Sequence, residues 1–205
     1  MIAKRALDIV GSLAGLLLFS PVMLLIAIAI YLKMGRPILY RQMRPGIRGQ
    51  PFVLYKFRSM LDLQDEAGKV LPDERRLLPF GRFLRSTSLD ELPELWNVLR
   101  GEMSLVGPRP LLMHYLSRYD SQQQRRHDTK PGITGWAQIN GRNALSWEDR
   151  FRLDLWYINH WSFWLDLKIL SLTILMILKR QGISPQGHLT MPEFLGSDSD
   201  PKRIE

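Results

Sequence analysis

The chain contains no cysteine, and this absence excludes disulfide bonds, thiol catalysis and zinc sites with cysteine ligands. Histidine is scarce, with four residues in 205. Neither His114 nor His127 has a second histidine at metal-ligand spacing, so neither is assigned a ligand role. The sequence also lacks an internal repeat and a recognised nucleic-acid-binding motif. A hydrophobic content of 45% excludes general disorder, and the length suits one folded domain.

Acidic residues are outnumbered, which gives the chain a formal net charge of +8 and a pI near 10. Such a balance predicts an anionic partner, for which nucleic acid, lipid headgroups and a phosphorylated substrate all qualify. Residues 33–85 contain twelve Lys or Arg against five Asp or Glu, a local charge of +7. This basic stretch directly follows an apolar segment, as it does in proteins that lie on a membrane surface.

The apolar segment Ile9–Leu32 is 24 residues without a charge, which is long enough to span a bilayer. It is too long for the apolar part of a signal peptide. Ser20-Pro21 lies at its centre, where proline interrupts helical hydrogen bonding. Basic residues flank both ends of the segment, namely Lys4, Arg5, Lys33, Arg36, Arg41 and Arg44. Because positive charge favours the cytoplasmic side, neither end is marked as the translocated one. We therefore predict a re-entrant helical hairpin broken at Ser20-Pro21; a single span and a buried core helix are the alternatives.

The next segment predicts short strands, because Pro and Gly residues punctuate two apolar runs, Ile38–Tyr40 and Phe52–Phe57. Lys56 and Arg58 alternate with aromatic residues, as on a strand with one basic face. That face is either a solvated strand edge or a surface for phosphate or lipid headgroups.

The stretch Arg85–Glu94 places an arginine, a possible helix cap and two adjacent carboxylates within ten residues. Ser88-x-x-Glu91 has the pattern of a capping box, and acidic residues suit the first turn of a helix. A purely structural interpretation is thus available for these residues. Asp90 and Glu91 are also a carboxylate pair of the kind that catalysis uses.

Two further segments have features of a binding site. Gly107 and two prolines fix the backbone around Arg109, and a rigid arginine suits bidentate phosphate recognition, although an exposed arginine in a turn has the same pattern. The loop 131–143 is rich in glycine and amide side chains. A hairpin turn at Asn140-Gly141 is one interpretation. A polar pocket for a sugar or nucleotide is the other, lined by Gln138, Asn140, Arg142 and Asn143.

The C-terminal third predicts helices at an interface. Ser146 is placed to cap a helix that runs to about Trp161, and four of the six tryptophans lie within 18 residues, as in plain core or at a membrane surface. Residues 163–179 are strongly apolar but interrupted by charge, which predicts an amphipathic helix docked on the membrane or on the hairpin. The composition from Gly182 onwards predicts a loose tail.

Together these motifs resemble the bacterial sugar transferase family, the monotopic phosphoglycosyl transferases. The resemblance covers nearly the whole chain and is carried by six motifs in order: Lys-Arg-x-x-Asp at 4–8, Ser-Pro at 20–21, Tyr-Lys-Phe-Arg-Ser-Met at 55–60, Arg-Ser-x-Ser-Leu-Asp-Glu-Leu at 85–92, Val-Gly-Pro-Arg-Pro at 106–110 and Pro-Gly-Ile-Thr-Gly-Trp-Ala-Gln at 131–138. The chain resembles the short form, without additional N-terminal membrane helices. Within that form it resembles the transferases that act on UDP-diacetylbacillosamine in protein glycosylation.

The resemblance implies a reaction and a set of residues. A sugar phosphate moves from a UDP-sugar to undecaprenyl phosphate with release of UMP, the first membrane step of glycoconjugate assembly. Asp90 is implied as the nucleophile that forms a covalent phosphosugar intermediate and holds Mg²⁺, and Glu91 as the general base. Arg85 and Arg109 are implied as phosphate ligands, with Lys56 and Arg58 as further candidates.

The resemblance also implies an α/β fold with predominant helix. It comprises a re-entrant membrane hairpin (1–34), one globular catalytic domain with interfacial amphipathic helices (35–182) and a C-terminal tail (183–205). Such a protein is expected on the cytoplasmic face of the bacterial inner membrane, in contact with its lipids and with no nucleic-acid partner. The sequence predicts no oligomeric state. The competing hypothesis is a non-catalytic, membrane-anchored protein that binds anionic lipid or a partner protein.

Overall fold

The protein is described from a computed structural model, which covers residues 2–141, 145–179 and 193–196. Helix predominates, as the sequence predicts. The α-helices are α1 (Ile2–Met34), α2 (Asp73–Arg76), α3 (Pro79–Ser86), α4 (Glu94–Arg100), α5 (Ser121–Gln124), α6 (Trp136–Ile139), α7 (Trp147–Asn159) and α8 (Phe163–Leu178). The 3₁₀ segments are Ile47–Gly49, Leu89–Glu91, Met113–Arg118 and Arg125–His127. The strands are β1 (Leu39–Pro45), β2 (Pro51–Phe57), β3 (Ser104–Val106) and β4 (Gly132–Thr134).

Helix α1 is the described helix that is long and apolar enough to cross a membrane. Its most apolar 18-residue window has a mean hydropathy of 2.7, and only 11% of that window is buried. At 33 residues, the helix is about 50 Å long, from the rise of 1.5 Å per residue. Large apolar side chains cover its outer surface, Leu18 and Leu25 among them, and they are mostly exposed.

The structure shows a continuous helix through Ser20-Pro21 and not the predicted hairpin. Pro21 lies inside α1 and has no N–H to pair with the carbonyl of Leu17, four residues earlier. The Ser20 hydroxyl donates to that same carbonyl at 2.8 Å. A serine hydroxyl can satisfy a backbone group that proline leaves open, so the helix continues past the proline.

The N-terminal end of α1 is bound to the globular part by the Lys-Arg-x-x-Asp motif at residues 4–8. The Lys4 ammonium donates to the Val106 carbonyl at 2.9 Å and lies 2.6 Å from an Asp166 carboxylate oxygen. Arg5 donates to two carbonyls in the last turn of α4. The buried Asp8 carboxylate accepts from the Ser104 hydroxyl and the Leu105 N–H. The Lys-Arg-x-x-Asp motif is therefore a joint between α1, α4, β3 and α8.

The other end of α1 is fastened to the same domain. The Arg58 guanidinium donates to the carbonyls of Met34, Gly35 and Arg36, where the helix ends. A cationic side chain at a helix C-terminus pairs with carbonyls that have no partner within the helix. Ile26 and Ile30 pack nearby in the core. Both ends of α1 thus contact one globular domain.

The predicted strands are confirmed as an antiparallel hairpin of β1 and β2, in which Tyr40 is opposite Lys56. Gly101 ends α4 in a left-handed conformation, with φ of 84°, as glycine commonly does at a helix C-terminus. Strands β3 and β4 form a short parallel pair. Residues 113–127 form a succession of short 3₁₀ and α segments.

The C-terminal helices agree with the sequence. The Ser146 side chain accepts from the Asp149 N–H and caps α7, and Ser162 caps α8 in the same way. Asp166 interrupts the apolar pattern of α8 because it is the buried partner of Lys4. Trp164 is 77% exposed, which suits a helix at an interface.

The described part of the predicted loose tail is packed. Phe194 is buried in an aromatic cluster with Tyr115, Tyr119 and Phe151. Its N–H donates to the Tyr115 hydroxyl at 3.2 Å. Phe194 is therefore part of the domain core, whereas its neighbour Leu195 is exposed, and the rest of the predicted tail lies outside the described residues.

Candidate active site

The carboxylate pair lies on a short 3₁₀ segment, Leu89–Glu91, between α3 and α4. The predicted capping box is wrong. Ser88 has φ of 56°, in the left-handed region, and its side chain makes no cap hydrogen bond. A capping serine needs an extended backbone to reach the next N–H groups. The Glu91 carboxylate is consequently directed to other partners.

Those partners are Lys56 on β2 and Arg109 in the loop after β3. The Lys56 ammonium is 2.7 Å from Glu91 Oε1, and a terminal nitrogen of Arg109 is 2.5 Å from the same oxygen. Burial raises the pKa of Glu91, but Arg109 and Lys56 outweigh burial and hold it well below its ordinary value. Glu91 in turn raises the pKa of Arg109. In this state Glu91 is a fixed anion that holds two cations in place.

Glu94 is a third carboxylate of this network, and sequence analysis missed it. The Lys56 ammonium lies 3.0 Å from Glu94 Oε1. Burial, which is almost complete, raises the pKa of Glu94 to about 7. Its position three residues after Glu91 was the available signal, because that spacing places two side chains on one face of a predicted helix. The long-range pairing with Lys56 gave no signal in the sequence.

Asp90 differs from its two neighbours because its carboxylate makes no hydrogen bond or ion pair among the residues the structure describes. Its side chain is buried, with a residue exposure of 7%. Burial, and then the adjacent Glu91, raise the pKa of Asp90 from 3.8 to about 6. Burial without a partner disfavours the charged form of a carboxylate. Asp90 is thus the carboxylate with its oxygens available, on the wall of a large cavity.

The other predicted phosphate ligands are divided by the structure. Arg85 lies on the cavity wall, where its Nε donates to the Ser59 hydroxyl at 3.0 Å. Its positive charge lowers the pKa of Asp90, against the effect of burial. Arg58 lines the cavity too, but its guanidinium is bound to the three carbonyls at the end of α1. We therefore place Arg58 at the joint with α1 and keep its role toward phosphate as a prediction only.

The cavity encloses about 2020 Å³ and brings together Lys56, Arg85, Asp90, Glu91 and Arg109. Two arginines that sequence analysis missed also line it, Arg44 on β1 and Arg150 on α7. Burial and then Arg109 lower the pKa of Arg44. Burial also lowers the pKa of Arg150, to about 10, and Arg109 acts in the same direction. Arg109 is thus close enough to Arg44 and to Arg150 to repel each of them, an arrangement that suits an anionic ligand.

The predicted polar loop is partly in the cavity. Gln138 lines it, and the Oε1 atom of Gln138 is buried without a hydrogen-bond partner in the described structure. Asn140 is exposed, and its side-chain amide donates to the Trp136 carbonyl at 2.8 Å. The hairpin turn at Asn140-Gly141 is not present, because Trp136–Ile139 is helical. Arg142 and Asn143 lie outside the described residues.

The donor set fits Mg²⁺ in one binding mode. Among the described residues, no group of three His, Asp or Glu side chains is arranged to hold a metal ion. A cage made by the protein alone is therefore not built here. Mg²⁺ in phosphoryl-transfer sites is instead held by one or two carboxylates together with substrate phosphates. The unpartnered Asp90 carboxylate, beside an arginine-lined wall, has the chemistry for that mode.

Comparison of the sequence with known proteins identifies the family of the chain. The sequence model described as "Bacterial sugar transferase" matches residues 1–180. The chain is 54% identical to the uncharacterized sugar transferase EpsL of Bacillus subtilis, over 96% of this chain and 98% of that protein. It is 45% identical to the UDP-glucose:undecaprenyl-phosphate glucose-1-phosphate transferase of Klebsiella pneumoniae and 42% identical to the galactosyl transferase CpsE of Streptococcus agalactiae. These two alignments cover 85% and 89% of this chain but only 40% and 43% of the relatives. The chain belongs to the bacterial sugar transferase family.

Proposed function

We propose that this protein is a membrane-associated phosphoglycosyl transferase that moves a sugar 1-phosphate from a UDP-sugar to undecaprenyl phosphate and releases UMP. The observation that carries the proposal is Asp90, a buried carboxylate without a partner that faces an arginine-lined cavity. The named activity of the Klebsiella relative supports the reaction type, since it transfers glucose 1-phosphate to undecaprenyl phosphate.

In the first step, an Asp90 oxygen attacks the phosphorus that bears the sugar. The bond from that phosphorus to the bridging oxygen breaks, and UMP leaves with that oxygen and the bond's electron pair. The product is a phosphosugar bound to Asp90 as an acyl phosphate. A carboxylate with a pKa of about 6 is mostly ionised at neutral pH, and it has no ion pair that must first be broken.

Phosphate recognition falls to the cationic side chains of the cavity. Arg85 and Arg109 flank the carboxylate pair and suit the phosphate next to the sugar. Arg44 and Arg150 line the same cavity and suit the phosphate of the departing UMP. The donor's two phosphates thus offset the repulsion of Arg44 and Arg150 by Arg109. Lys56 has the charge to assist, but in the free protein it is held by Glu91 and Glu94.

Asp90 and the donor phosphates would together hold Mg²⁺. When bound, it neutralises charge that develops on the phosphate oxygens. Asp90 and the arginines provide binding and orientation in either case.

In the second step, an oxygen of the acceptor phosphate attacks the same phosphorus. The bond to Asp90 breaks and the carboxylate is regenerated. Glu91 is our proposed base for this step, but a carboxylate with a pKa far below neutral accepts protons poorly. We therefore propose that substrate phosphates draw Arg109 away from Glu91, which raises the pKa of Glu91 when a base is needed.

Helix α1 supports the membrane position that we propose. Its outer side chains are apolar and exposed, and both of its ends contact one domain through Lys4, Arg5, Asp8 and Arg58. A helix that crossed the bilayer would place its ends on opposite sides. We propose that α1 instead lies within one leaflet on the cytoplasmic face of the inner membrane, where the acceptor phosphate is. The re-entrant topology predicted from the sequence thus remains part of the proposal, with a continuous helix.

The sugar is the variable part of the proposal. Resemblance to the short transferases predicts UDP-diacetylbacillosamine, an N-acetylated amino sugar donor. The relatives above are named for glucose and galactose. Assaying UMP release from these three donors in parallel decides between them.

The complete reaction tests the function. Purified protein, a UDP-sugar panel and undecaprenyl phosphate with Mg²⁺ should give UMP and lipid-linked sugar diphosphate in equal amounts. Asp90→Asn should reduce the rate by about 10³-fold or more, as loss of a nucleophile does. Asp128→Asn is the matched control, because that exposed carboxylate lies outside the cavity. Full activity of Asp90→Asn would favour the non-catalytic alternative, an anchored protein that binds anionic lipid through its basic stretch.

A further inference from the structure

The cavity extends beyond the polar site along two helices. On α8 its wall is formed by Leu170, Thr173, Ile174 and Ile177, at spacings of three and four residues that define one helix face. On α1 it is formed by residues from Gly11 to Tyr31, including Phe19, Leu24 and Ile28. We call the space between these two faces the apolar groove.

The groove offers contact to hydrocarbon. Its one α8 hydroxyl, on Thr173, is already bonded to Thr134 at 2.7 Å and to the Ile169 carbonyl at 2.8 Å. Ile174 and Ile177 are 60% and 44% exposed. Exposed apolar side chains in a contiguous row mark a binding surface.

The groove and the polar site are one cavity, and its size exceeds the needs of a nucleotide sugar. Small-molecule pockets are usually about 300–1,000 Å³, and this cavity encloses about 2020 Å³. One end presents Arg85, Asp90 and Arg109, and the other presents aliphatic side chains. The ligand that matches both ends is an amphiphile with an anionic head and a long hydrocarbon chain.

We propose that the apolar groove binds the hydrocarbon chain of the polyprenyl phosphate acceptor, nearest its phosphate. This inference rests on the proposed function. For transfer, the acceptor phosphate must reach the phosphorus held at Asp90, and its covalently attached chain must leave the polar site along an apolar wall. The groove is such an exit, and it leads between two helices whose outer faces suit lipid. The acceptor is therefore aligned by its chain as well as its phosphate.

Photolabelling tests the groove without requiring turnover. A polyprenyl phosphate with a diazirine on one of its first isoprenoid units is added to the full-length protein in phosphatidylglycerol vesicles. Labelled peptides should include residues 170–177, and unlabelled polyprenyl phosphate should reduce the labelling at least about tenfold. Labelling confined to other segments, or equal protection by additional phosphatidylglycerol, would overturn the proposal and assign the groove to bulk lipid.

A pair of neighbouring substitutions tests it kinetically. Ile174→Glu places a charge in the groove, whereas Leu175→Glu places one on an exposed position of the same helix that does not line the cavity. The cost of placing a charged side chain in the membrane is similar for both variants. A difference between their KM values for undecaprenyl phosphate therefore indicates binding in the groove. We expect the KM for undecaprenyl phosphate to rise about tenfold in the first variant and less than about threefold in the second. Equal changes, or no change in either, would contradict the groove.

The same experiments separate this inference from the function on which it rests. Wild-type protein that releases no UMP from any donor would refute the proposed function. Wild-type protein that turns over, with no difference between the two variants and no labelling of α8, would refute the groove alone. If Ile174→Glu does not fold, as judged by circular dichroism, Ile177→Gln takes its place against Leu175→Gln.

Discussion

Asp90 is the residue whose ionisation should set the lower pH limit of the reaction. Its pKa is raised to about 6, so the nucleophilic form is lost as pH falls through that value. The kcat/KM for UMP release should therefore fall about tenfold per pH unit below pH 6. A pH–rate profile with saturating Mg²⁺ measures this, and activity that stays level down to pH 4.5 would contradict it.

Glu91 should control that profile from the adjacent position. Its negative charge raises the pKa of Asp90, whereas Lys56 and Arg109, which it binds, lower it. Glu91→Gln removes the repulsion and frees Arg109, whereas Lys56 keeps Glu94 as a partner, so both changes lower the pKa of Asp90. We expect the acid limb of UMP release to move about one unit toward lower pH. Glu148→Gln, at an exposed position outside the cavity, is the control. An alkaline shift in Glu91→Gln would be incompatible with this network.

Glu94 gives a prediction about stability. Burial raises its pKa from 4.5 to about 7, so folding favours its protonated form. The stabilisation is fully present below pH 4.5 and is lost as pH rises through about 7. Glu94→Gln should therefore flatten the dependence of Tm on pH in this window. Thermal unfolding in detergent at pH 4.5, 6 and 8 measures the effect, and an unchanged pH dependence would show that Glu94 does not titrate there.

At the scale of elements, the joint between α1 and the domain should be stabilised by a buried ion pair. Asp166 is fully buried, and Lys4 is its ion-pair partner. Lys4→Met leaves that carboxylate without its cation, a change that typically costs about 3–5 kcal/mol. We expect a large drop in the free energy of unfolding and, as a control, little change for Lys33→Met at the other, exposed end of α1. Equal stability of the two variants would indicate that the joint contributes little.

The elements that could be predicted are those with local signals. Apolar runs bounded by Pro and Gly predict β1 and β2, and the capping residue Ser146 predicts the start of α7. The failures have local causes that the sequence does not reveal. Ser20 replaces the hydrogen bond that Pro21 removes, so α1 does not break. Ser88 adopts a left-handed conformation, so no capping box forms.

Prediction of the site was limited by long-range contacts. Motif order identified Asp90, Glu91, Arg85 and Arg109, and the structure places all four on one cavity. It did not identify Glu94, Arg44 or Arg150, because their proximity depends on how α4, β1 and α7 pack. Arg58 lies in a motif that suggests a phosphate ligand, yet its side chain donates hydrogen bonds to carbonyls at the C-terminal end of α1.

For the whole molecule, we predict that both ends of α1 are on the cytoplasmic side. The absence of native cysteine makes single engineered cysteines clean reporters. Ile2→Cys lies at the first residue of α1 and Tyr40→Cys lies six residues after its last, and both positions are exposed. In intact cells neither should react with a membrane-impermeant maleimide, and both should react after lysis. Labelling of only one of them in intact cells would indicate a helix that crosses the bilayer.

Covalent attachment of the sugar phosphate to Asp90 can be measured as UMP release without an acceptor. Stoichiometric enzyme is mixed with its UDP-sugar donor and Mg²⁺ in the absence of undecaprenyl phosphate. We expect a rapid release of about one equivalent of UMP, and a mass increase of one sugar phosphate on the peptide that contains Asp90. UMP release that occurs only when undecaprenyl phosphate is present would contradict the covalent mechanism.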